Sequence, residues 1–316
     1  MKNLLRKLLV GDQIITEYST LPVPDTIKEK FLLIAGNTAL DVTDKQCVLC
    51  LEPVVLAFWL EEKKEISSIQ SHTQVQLIGG YRDEYSDSEF KNNKAVSINL
   101  ESYGKIEETD GTLFLFKISE TVLSHIPAFK TSILFNRYYK KPGLSFEKYK
   151  ALIAAYSYPR KVRLVSFRDN EHFNIFPMDL VGKLGTGRRM VFGLRHTNIT
   201  LSKIIAAGKL VISEISHQHK DTIYQLGKHH SQHPPSPESL PFKTFPSKNF
   251  QFHVSDWVDR YYEVKINQTK NLGSHMLMWG EIIDETVLKG PSPALYHIHF
   301  LQHLYQVKHN YAYPLV

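Results

Sequence analysis

Ten short segments rich in Val, Ile, Leu, Phe and Tyr constrain the fold of this chain more than any other feature of its sequence. Most of them end at Gly, Asn, Asp or Pro, as strands do. They span residues 31–35, 47–60, 75–78, 95–100, 113–118, 162–167, 190–194, 209–215, 261–267 and 276–283. Helical periodicity is confined to residues 66–71, 145–156 and 200–207. Because long helices do not alternate with the strands, we predict a mainly β fold, a β-barrel with short helices, and not a parallel sheet.

The run Tyr-Tyr-Lys-Lys-Pro-Gly at residues 138–143 is the strongest candidate for a domain boundary. The 316 residues of the chain suffice for two domains of ordinary size. We therefore predict one domain over residues 1–143 and a second over residues 144–316. Within the second domain, residues 229–247 carry five prolines and are predicted to form a long surface loop.

A faint internal repeat supports this division. When the first half is shifted by 135 positions, the difference between 66 and 201, apolar residues of the two halves coincide. The pairs are Ile66 and Leu201, Ile69 and Ile204, Val75 and Leu210, and Leu77 and Ile212. In both copies a strand leads through a polar turn into a short helix and then into another strand. We therefore predict an internal duplication, which requires the same order of strands in both halves.

Composition and charge exclude several classes of protein. The 42% of hydrophobic and 22% of charged residues are typical of a folded globular chain. Lys2, Arg6 and Lys7 interrupt the apolar N-terminus, so no signal peptide is predicted. The longest other apolar run, residues 54–60, is far shorter than the roughly 20 residues that cross a bilayer, and we predict a cytoplasmic protein without a membrane partner. A net charge of +6 favours anionic ligands but does not indicate nucleic acid as a partner.

The stretch at residues 195–200 is the most informative for chemistry. It places a guanidinium, an imidazole and two hydroxyls at the start of a predicted helix, in the order Arg195, His196, Thr197, Asn198, Ile199 and Thr200. The N–H groups and the positive end of the helix dipole favour an anion there, which predicts a phosphate site. The alternative is that Thr197 or Asn198 only caps the helix.

Four motifs occur in an order that resembles the flavin reductase-like family, the FMN-binding split barrels. They are Tyr158-Pro159-Arg160, Asn174-Ile175-Phe176-Pro177-Met178-Asp179, Arg195-His196-Thr197-Asn198-Ile199-Thr200 and Gly273-Ser274-His275-Met276-Leu277-Met278-Trp279-Gly280-Glu281-Ile282. The resemblance covers roughly the second half of the chain. Together with the repeat, it implies two tandem split-barrel-like domains that form a pseudo-dimer, the first being a degenerate copy.

The resemblance implies that the second domain binds FMN, with the phosphate at the turn of residues 195–200 and the ring against the backbone of residues 174–179. The implied cofactor-binding residues are Asn174, Phe176, Pro177, Met178, Asp179, Arg195, His196, Thr197, Asn198 and Thr200. Because the flavin supplies the chemistry, no catalytic side chain is implied. The expected function is that of an oxidoreductase that passes electrons from NAD(P)H to flavin, with no metal.

Two departures from the family pattern keep other functions open. Asp179 stands where the family usually has a small hydroxyl residue, and its carboxylate would repel an anionic reduced flavin. Opposite residues 195–200, the first half reads Leu-Glu-Glu-Lys-Lys-Glu at residues 60–65, so no phosphate is expected there. The alternatives are a flavin-binding electron carrier without turnover and an interaction protein that has lost its cofactor. The chain is expected to be a monomeric pseudo-dimer or a homodimer.

Two further groups of residues have less specific patterns. Cys47 and Cys50 are spaced like half of a zinc or redox motif, but no second pair follows, and we interpret them as core residues. His297, His299 and His303 are interpreted as a polar surface near the C-terminus that lines the flavin cleft.

Overall fold

The computed structural model describes residues 18–23, 27–81, 94–124, 126–185, 187–234, 236–310 and 312–316. Strands account for 47% of the structure and helices for 23%, which confirms the predicted mainly β class. Among the described residues, no helix combines the length and the apolar character that crossing a membrane requires.

The structure contains nineteen strands and six α-helices in the described ranges. The strands are β1 (Tyr18–Val23), β2 (Glu29–Ala35), β3 (Thr38–Asp41), β4 (Gln46–Leu51), β5 (Val54–Leu60), β6 (Gln74–Tyr81), β7 (Val96–Glu108), β8 (Gly111–Leu123), β9 (Arg160–Lys161), β10 (Arg163–Arg168), β11 (Phe173–Met178), β12 (Val181–Lys183), β13 (Arg189–Arg195), β14 (Lys209–Glu214), β15 (Thr244–Pro246), β16 (His253–Ser255), β17 (Arg260–Asn271), β18 (His275–Val287) and β19 (Ala294–His299). The helices are α1 (Lys63–Gln70), α2 (Ala128–Leu134), α3 (Phe146–Ala155), α4 (Leu201–Ala207), α5 (Lys220–Gln225) and α6 (Phe300–Lys308).

Two seven-stranded antiparallel sheets form the body of the protein. The first has the order β3-β2-β6-β7-β8-β5-β4, and the second has the order β11-β10-β14-β17-β18-β13-β12. When β2 is matched with β10 and the other strands follow in chain order, the two orders are the same, with the hairpin of β15 and β16 inserted in the second. Helix α1 joins β5 to β6, and α4 joins β13 to β14 at the matching place. This agreement is what the predicted duplication requires.

Two predictions from the sequence were wrong in detail. Residues 47–60 form two strands, β4 and β5, that turn at Glu52 and Pro53. Their apolar pattern is nearly continuous because both faces of both strands are buried, which hides the turn. Residues 229–247 are not a surface loop throughout, because His229 is only 4% exposed and its Nδ1 donates to the carbonyl of Ile175 (2.7 Å).

The two sheets pack on each other through a shared apolar cluster. Cys47, Leu49 and Trp59 of the first sheet lie in this cluster with residues of β13 and β18, and the rings of Trp59 and Trp279 are 5.2 Å apart. A Cβ atom on Gly193 would lie 1.8 Å from the carbonyl oxygen of Leu49, so only glycine permits this approach. Both cysteines are free and buried, as predicted, and burial raises the pKa of the Cys47 thiol to about 11.

Further segments tie the halves together near the predicted boundary. Helix α3 begins at the N-cap Ser145, whose side chain accepts from the N–H of Lys148, and packs on β5 and β8 of the first sheet. Strand β19 pairs with β1 on one side and with β9 on the other. These segments bring Tyr156 and His297 close to the start of β12, where the candidate site lies.

Candidate functional site

A cavity of about 750 Å³ lies where the two halves meet. This is within the range of 300–1,000 Å³ that is typical of ligand sites. Residues 1–143 provide Leu51, Glu52, Lys141 and Pro142. Residues 144–316 provide Leu144, Leu152, Tyr156, Pro177, Met178, Asp179, Leu180, Gly193, Leu194, Arg195, Thr197, His230, Ser274 and His275. The cavity therefore has a wall from each half of the chain.

Five of the ten predicted site residues line this cavity. Pro177, Met178 and Asp179 come from the end of β11 and the turn after it. Arg195 is the last residue of β13, and Thr197 lies in the turn that follows. Arg195 is exposed, and no ion pair joins it to any residue that the structure describes. A guanidinium and a hydroxyl are thus presented together beside apolar walls, a combination that suits an anionic ligand with an apolar body.

The other predicted site residues lie behind the cavity or beside it. Asn174 is fully buried, and its Nδ2 donates to Oγ1 of Thr200 (2.7 Å) and to the carbonyl of His229 (2.9 Å). Asn198 Oδ1 accepts from the N–H of Thr200 (2.8 Å), so these side chains shape the turn before α4.

The last two predicted side chains are oriented differently from each other. Phe176 is fully buried in the core of the second sheet. His196 is exposed, and its Nε2 lies 3.2 Å from Oδ1 of Asn271. Neither side chain lines the cavity.

Asp179 is held by two hydrogen bonds at the edge of the cavity. Its Oδ2 accepts from the Tyr156 hydroxyl (3.1 Å) and from Nδ1 of His297 (2.9 Å). Burial alone would raise the pKa of Asp179, but the hydrogen bonds from His297 and Tyr156 outweigh burial and hold the pKa below its ordinary value. The carboxylate is therefore ionised at neutral pH, with two donors that stabilise its charge.

Two histidines of the cavity wall are neutral at pH 7. Burial lowers the pKa of His230, and burial together with the charge of Arg195 lowers the pKa of His275 to about 4. His230 donates from Nε2 to the carbonyl of Pro177 (2.8 Å), while its Nδ1 accepts from Nδ2 of Asn198 (2.9 Å). His230 thus fixes the predicted phosphate turn relative to the predicted ring site.

Sequence reasoning missed several residues of the wall. Glu52, Tyr156, His230 and His275 carry no predicted role, although His275 lies inside a motif of the resemblance. Lys141 was recognised in the sequence only as part of the basic turn at the domain boundary, next to Pro142 and Gly143, and not as a residue of the site.

The histidines near the C-terminus do not form a polar surface. His299 is fully buried and His303 is 4% exposed, because α6 packs against the core at this point. Only His297 reaches the candidate site, through Asp179.

The matching place in the first half is closed. At the end of β5, Nε1 of Trp59 donates to Oε1 of Glu61 (3.0 Å). A Cβ atom on Gly185, in the turn between β12 and β13, would lie 2.3 Å from the same Oε1. A loop of the second half therefore covers the turn that corresponds to the residues around Arg195.

Comparisons with known proteins match only solved structures. No protein-family model matches the chain, and no curated protein matches it. An FMN-binding protein from Thermus thermophilus with bound 1-cyclohex-2-enone is 18% identical, with a TM-score of 0.37, and the match covers 41% of this chain and 71% of that chain. The flavin reductase component BorF of a bacterial two-component tryptophan halogenase is 9% identical, with a TM-score of 0.43 and coverage of 48% and 92%.

A third solved structure is the 2-nitrobenzoate 2-nitroreductase NbaA of Pseudomonas fluorescens, which is 20% identical. Its TM-score is 0.40, and the match covers 47% of this chain and 75% of that chain. The matched solved structures thus include an FMN-binding protein and a flavin reductase component, the kinds of protein that the sequence motifs resemble.

Proposed function

We propose that this chain binds FMN in the cavity between its two halves and uses it to carry electrons from reduced nicotinamide. The observation that carries the proposal is the meeting of Arg195 and Thr197 with the segment of residues 177–180 in one cavity of about 750 Å³. The motif order in the sequence predicts that these two segments share a ligand, and the fold places them together.

The residues of the cavity fit the two ends of FMN. Arg195, Thr197 and Lys141 supply cationic and hydroxyl donors for a phosphate. Leu51, Leu152, Leu180 and other apolar side chains offer the surface that a flat ring system buries, at roughly 25 cal/mol per Å² of apolar area. Both requirements are met in one cavity, and neither is met at the covered turn of the first half.

Asp179 does not exclude an electron-rich ligand from this site. An isolated carboxylate would oppose added negative charge, but here Tyr156 and His297 both donate to Asp179. These donors spread the charge of the carboxylate. The departure from the family pattern is therefore compensated by two residues outside the resembling motifs.

The bound FMN would supply the redox chemistry by accepting hydride from a nicotinamide. The chain itself would orient the ring through the backbone of residues 177–180, hold the phosphate with Arg195 and Thr197, and keep part of the ring from water. No protein nucleophile is needed for this role.

Titration of the purified chain with FMN, followed by flavin fluorescence and visible absorption, tests the proposal. We expect saturable binding, and we expect the double variant R195A/T197A to bind roughly 10- to 100-fold more weakly, since it loses charge-assisted hydrogen bonds of about 1.5–3 kcal/mol. The matched control is R168A, which removes an exposed arginine outside the cavity. No saturation at high micromolar FMN would contradict the proposal and favour the interaction protein.

A steady-state assay separates a reductase from an electron carrier. Reduced nicotinamide is supplied with excess free flavin, and its consumption is followed by absorbance. Sustained turnover supports a flavin reductase. Saturable FMN binding without sustained turnover would favour the electron carrier.

We also propose that residues 1–143 take the place of a second subunit for residues 144–316. The shared strand order and the two-sided cavity support this arrangement. A particle of 36.4 kDa with one tight FMN site is the expected result from light scattering and titration. A homodimer with a cavity formed between copies would contradict it.

A further inference from the structure

A chain of hydrogen bonds leads from the cavity to the exterior. Asp179 lines the cavity, and its Oδ2 accepts from Nδ1 of His297 at 2.9 Å. Nε2 of His297 lies 3.1 Å from the Tyr224 hydroxyl, which also contacts Oγ1 of Thr20. Tyr224 is 45% exposed, so the outer end of this row of hydrogen bonds lies at the protein surface.

The direction of each hydrogen bond follows from the chemistry of its partners. The ionised carboxylate of Asp179 only accepts, so His297 carries a proton on Nδ1. In the neutral imidazole Nε2 then accepts the proton of the Tyr224 hydroxyl. Tyr224 and His297 can each accept a proton on one side and donate one on the other, and Asp179 can donate once it has taken the proton of His297. Proton transfer along a row of hydrogen bonds requires this.

The elements around His297 hold this arrangement in place. In the strand register, His297 lies between Thr20 of β1 and Arg160 of β9. The rings of Tyr224 and His297 are stacked, with an angle of 7° between their planes. The other titratable groups that interact with Asp179 are Tyr156, Arg160, His230, His275 and Cys47.

Arg160 and His230 do not offer an equivalent path. Arg160 donates to the carbonyl of Ala155 (2.8 and 3.1 Å) and to Oε1 of Gln46 (2.8 Å). His230 is committed to Pro177 and Asn198. Among the described residues, His297 is the histidine that hydrogen-bonds to Asp179 on one ring nitrogen and to an exposed hydroxyl on the other.

We propose that Tyr224, His297 and Asp179 form a proton relay that exchanges protons between solvent and the ligand in the cavity. The inference rests on the proposed function, because reduction of a flavin by two electrons is accompanied by uptake of protons. It adds an acid–base role for the chain to the binding role proposed above.

The transfer is balanced without any further reactant. When a ligand in the cavity becomes more basic, the Asp179 carboxylate takes the Nδ1 proton of His297 and passes it to the ligand. His297 takes the proton of the Tyr224 hydroxyl at Nε2, and water returns a proton to Tyr224. After rotation or exchange restores the starting tautomer, the net change is one proton moved from solvent to the cavity, and no protein atom is oxidised or reduced.

The test measures proton uptake directly, with the FMN-loaded full-length chain in weak buffer containing a pH indicator dye. Bound FMN is reduced by a light pulse with an electron donor, so that no nicotinamide is required. Y224F keeps the ring that stacks on His297 but breaks the chain at its outer end. H297Q retains a donor for Asp179 but cannot transfer a proton from one nitrogen to another. The matched control is H72Q, a histidine of the first half outside the cavity.

We expect FMN affinity to change less than threefold in Y224F, because this substitution leaves both hydrogen bonds to Asp179 in place. We expect proton uptake to slow by about tenfold in Y224F and on the order of 10²-fold in H297Q, the usual contribution of a positioned acid or base. H72Q should behave as the wild-type chain does. Nitrogen NMR of the His297 ring without FMN should show the proton on Nδ1, which donation to Asp179 requires.

Two results would overturn the relay, and they are distinguishable. Wild-type uptake rates in both variants, with FMN affinity retained, would exclude the relay and leave the proposed function standing. Absence of FMN binding by the wild-type chain would instead overturn the proposed function and the relay with it.

Discussion

The ends of β5 and β13 occupy matching places in two sheets with the same strand order, yet they differ in chemistry and in access. The end of β13 presents Arg195 and Thr197 to a cavity of about 750 Å³. The end of β5 leads into Glu61 and Glu62, and the loop at Gly185 covers it. The comparison shows that strand order fixes where a site can form, while the turn residues and the covering loop decide whether a site is present.

The two halves contact each other both beside the cavity, called the open side here, and beside the covered turn of the first half, called the closed side. The contacts at these two places have different consequences. On the open side, the N–H of Ser274 donates to the carbonyl of Glu52 (2.8 Å), and the N–H of Glu52 donates to Oγ of Ser274 (3.1 Å). On the closed side, Arg189 forms ion pairs with Glu108 and Asp110 (3.6 and 3.2 Å). One set of contacts frames a cavity, and the other closes the corresponding turn.

The largest effect is expected from separating the halves. G193A places a Cβ 1.8 Å from the Leu49 carbonyl oxygen, so β4 and β13 must move apart. We expect the free energy of unfolding to fall by about 3 kcal/mol, measured by urea denaturation. G227A, whose Cβ meets no atom within 4 Å, is the control and should change stability little. Equal stability of the two variants would mean that the halves do not pack as described.

The next largest effect is expected at Glu29, which connects the first sheet to residues near the C-terminus. Glu29 in β2 is 2% exposed, and it accepts hydrogen bonds from Gln306 and Tyr313. Burial raises the pKa of Glu29 to about 7. The folded chain therefore binds this proton more tightly than the unfolded chain, and stability should fall as the pH rises from about 4.5 to about 7, by roughly 3 kcal/mol.

Comparison of the wild-type chain with E29Q measures how much Glu29 contributes to the dependence of stability on pH. The difference in unfolding free energy between the two chains should change across that pH window, because the amide does not titrate. A constant difference from pH 4.5 to pH 7 would show that the carboxyl group keeps its ordinary pKa.

A smaller effect is expected from the linker that borders the open site. Lys141 is exposed, lines the cavity and forms no ion pair with any described residue. We expect K141A to weaken FMN binding by about 1 kcal/mol, roughly fivefold, and the loss should shrink at high salt. Titration at low and high ionic strength checks this, and K130A, a lysine outside the cavity, is the control. A loss that does not depend on salt would contradict an electrostatic role for Lys141.

The smallest effect is expected at the covered turn. E61Q should leave FMN affinity and stoichiometry unchanged, because Glu61 contacts Trp59 and the loop at Gly185, not the cavity. Isothermal titration should give one site in both chains. A second site in E61Q would show that charge alone, not the covering loop, closes the first half.

The sequence predicted those parts of the site that lie close together along the chain. The segment at residues 174–179 and the turn at residues 195–200 follow one another through a hairpin, so their proximity follows from local order. Tyr156, Lys141 and Glu52 reach the cavity from α3, the linker and the first sheet, and residue patterns do not register such long-range packing. The hydrogen bond from His297 to Asp179 could not be predicted from the sequence, because the two residues lie more than one hundred positions apart.

The two matching turns are encoded at separate positions of one gene, and this changes how the protein can evolve. In a symmetric homodimer every substitution appears at both sites, so a residue that closes one site closes the other. In this chain Glu61 and His196 can change independently, and so can the loop at Gly185 that covers Glu61. A single chain with two copies of one topology can therefore keep one turn for a ligand while the other becomes a permanent contact.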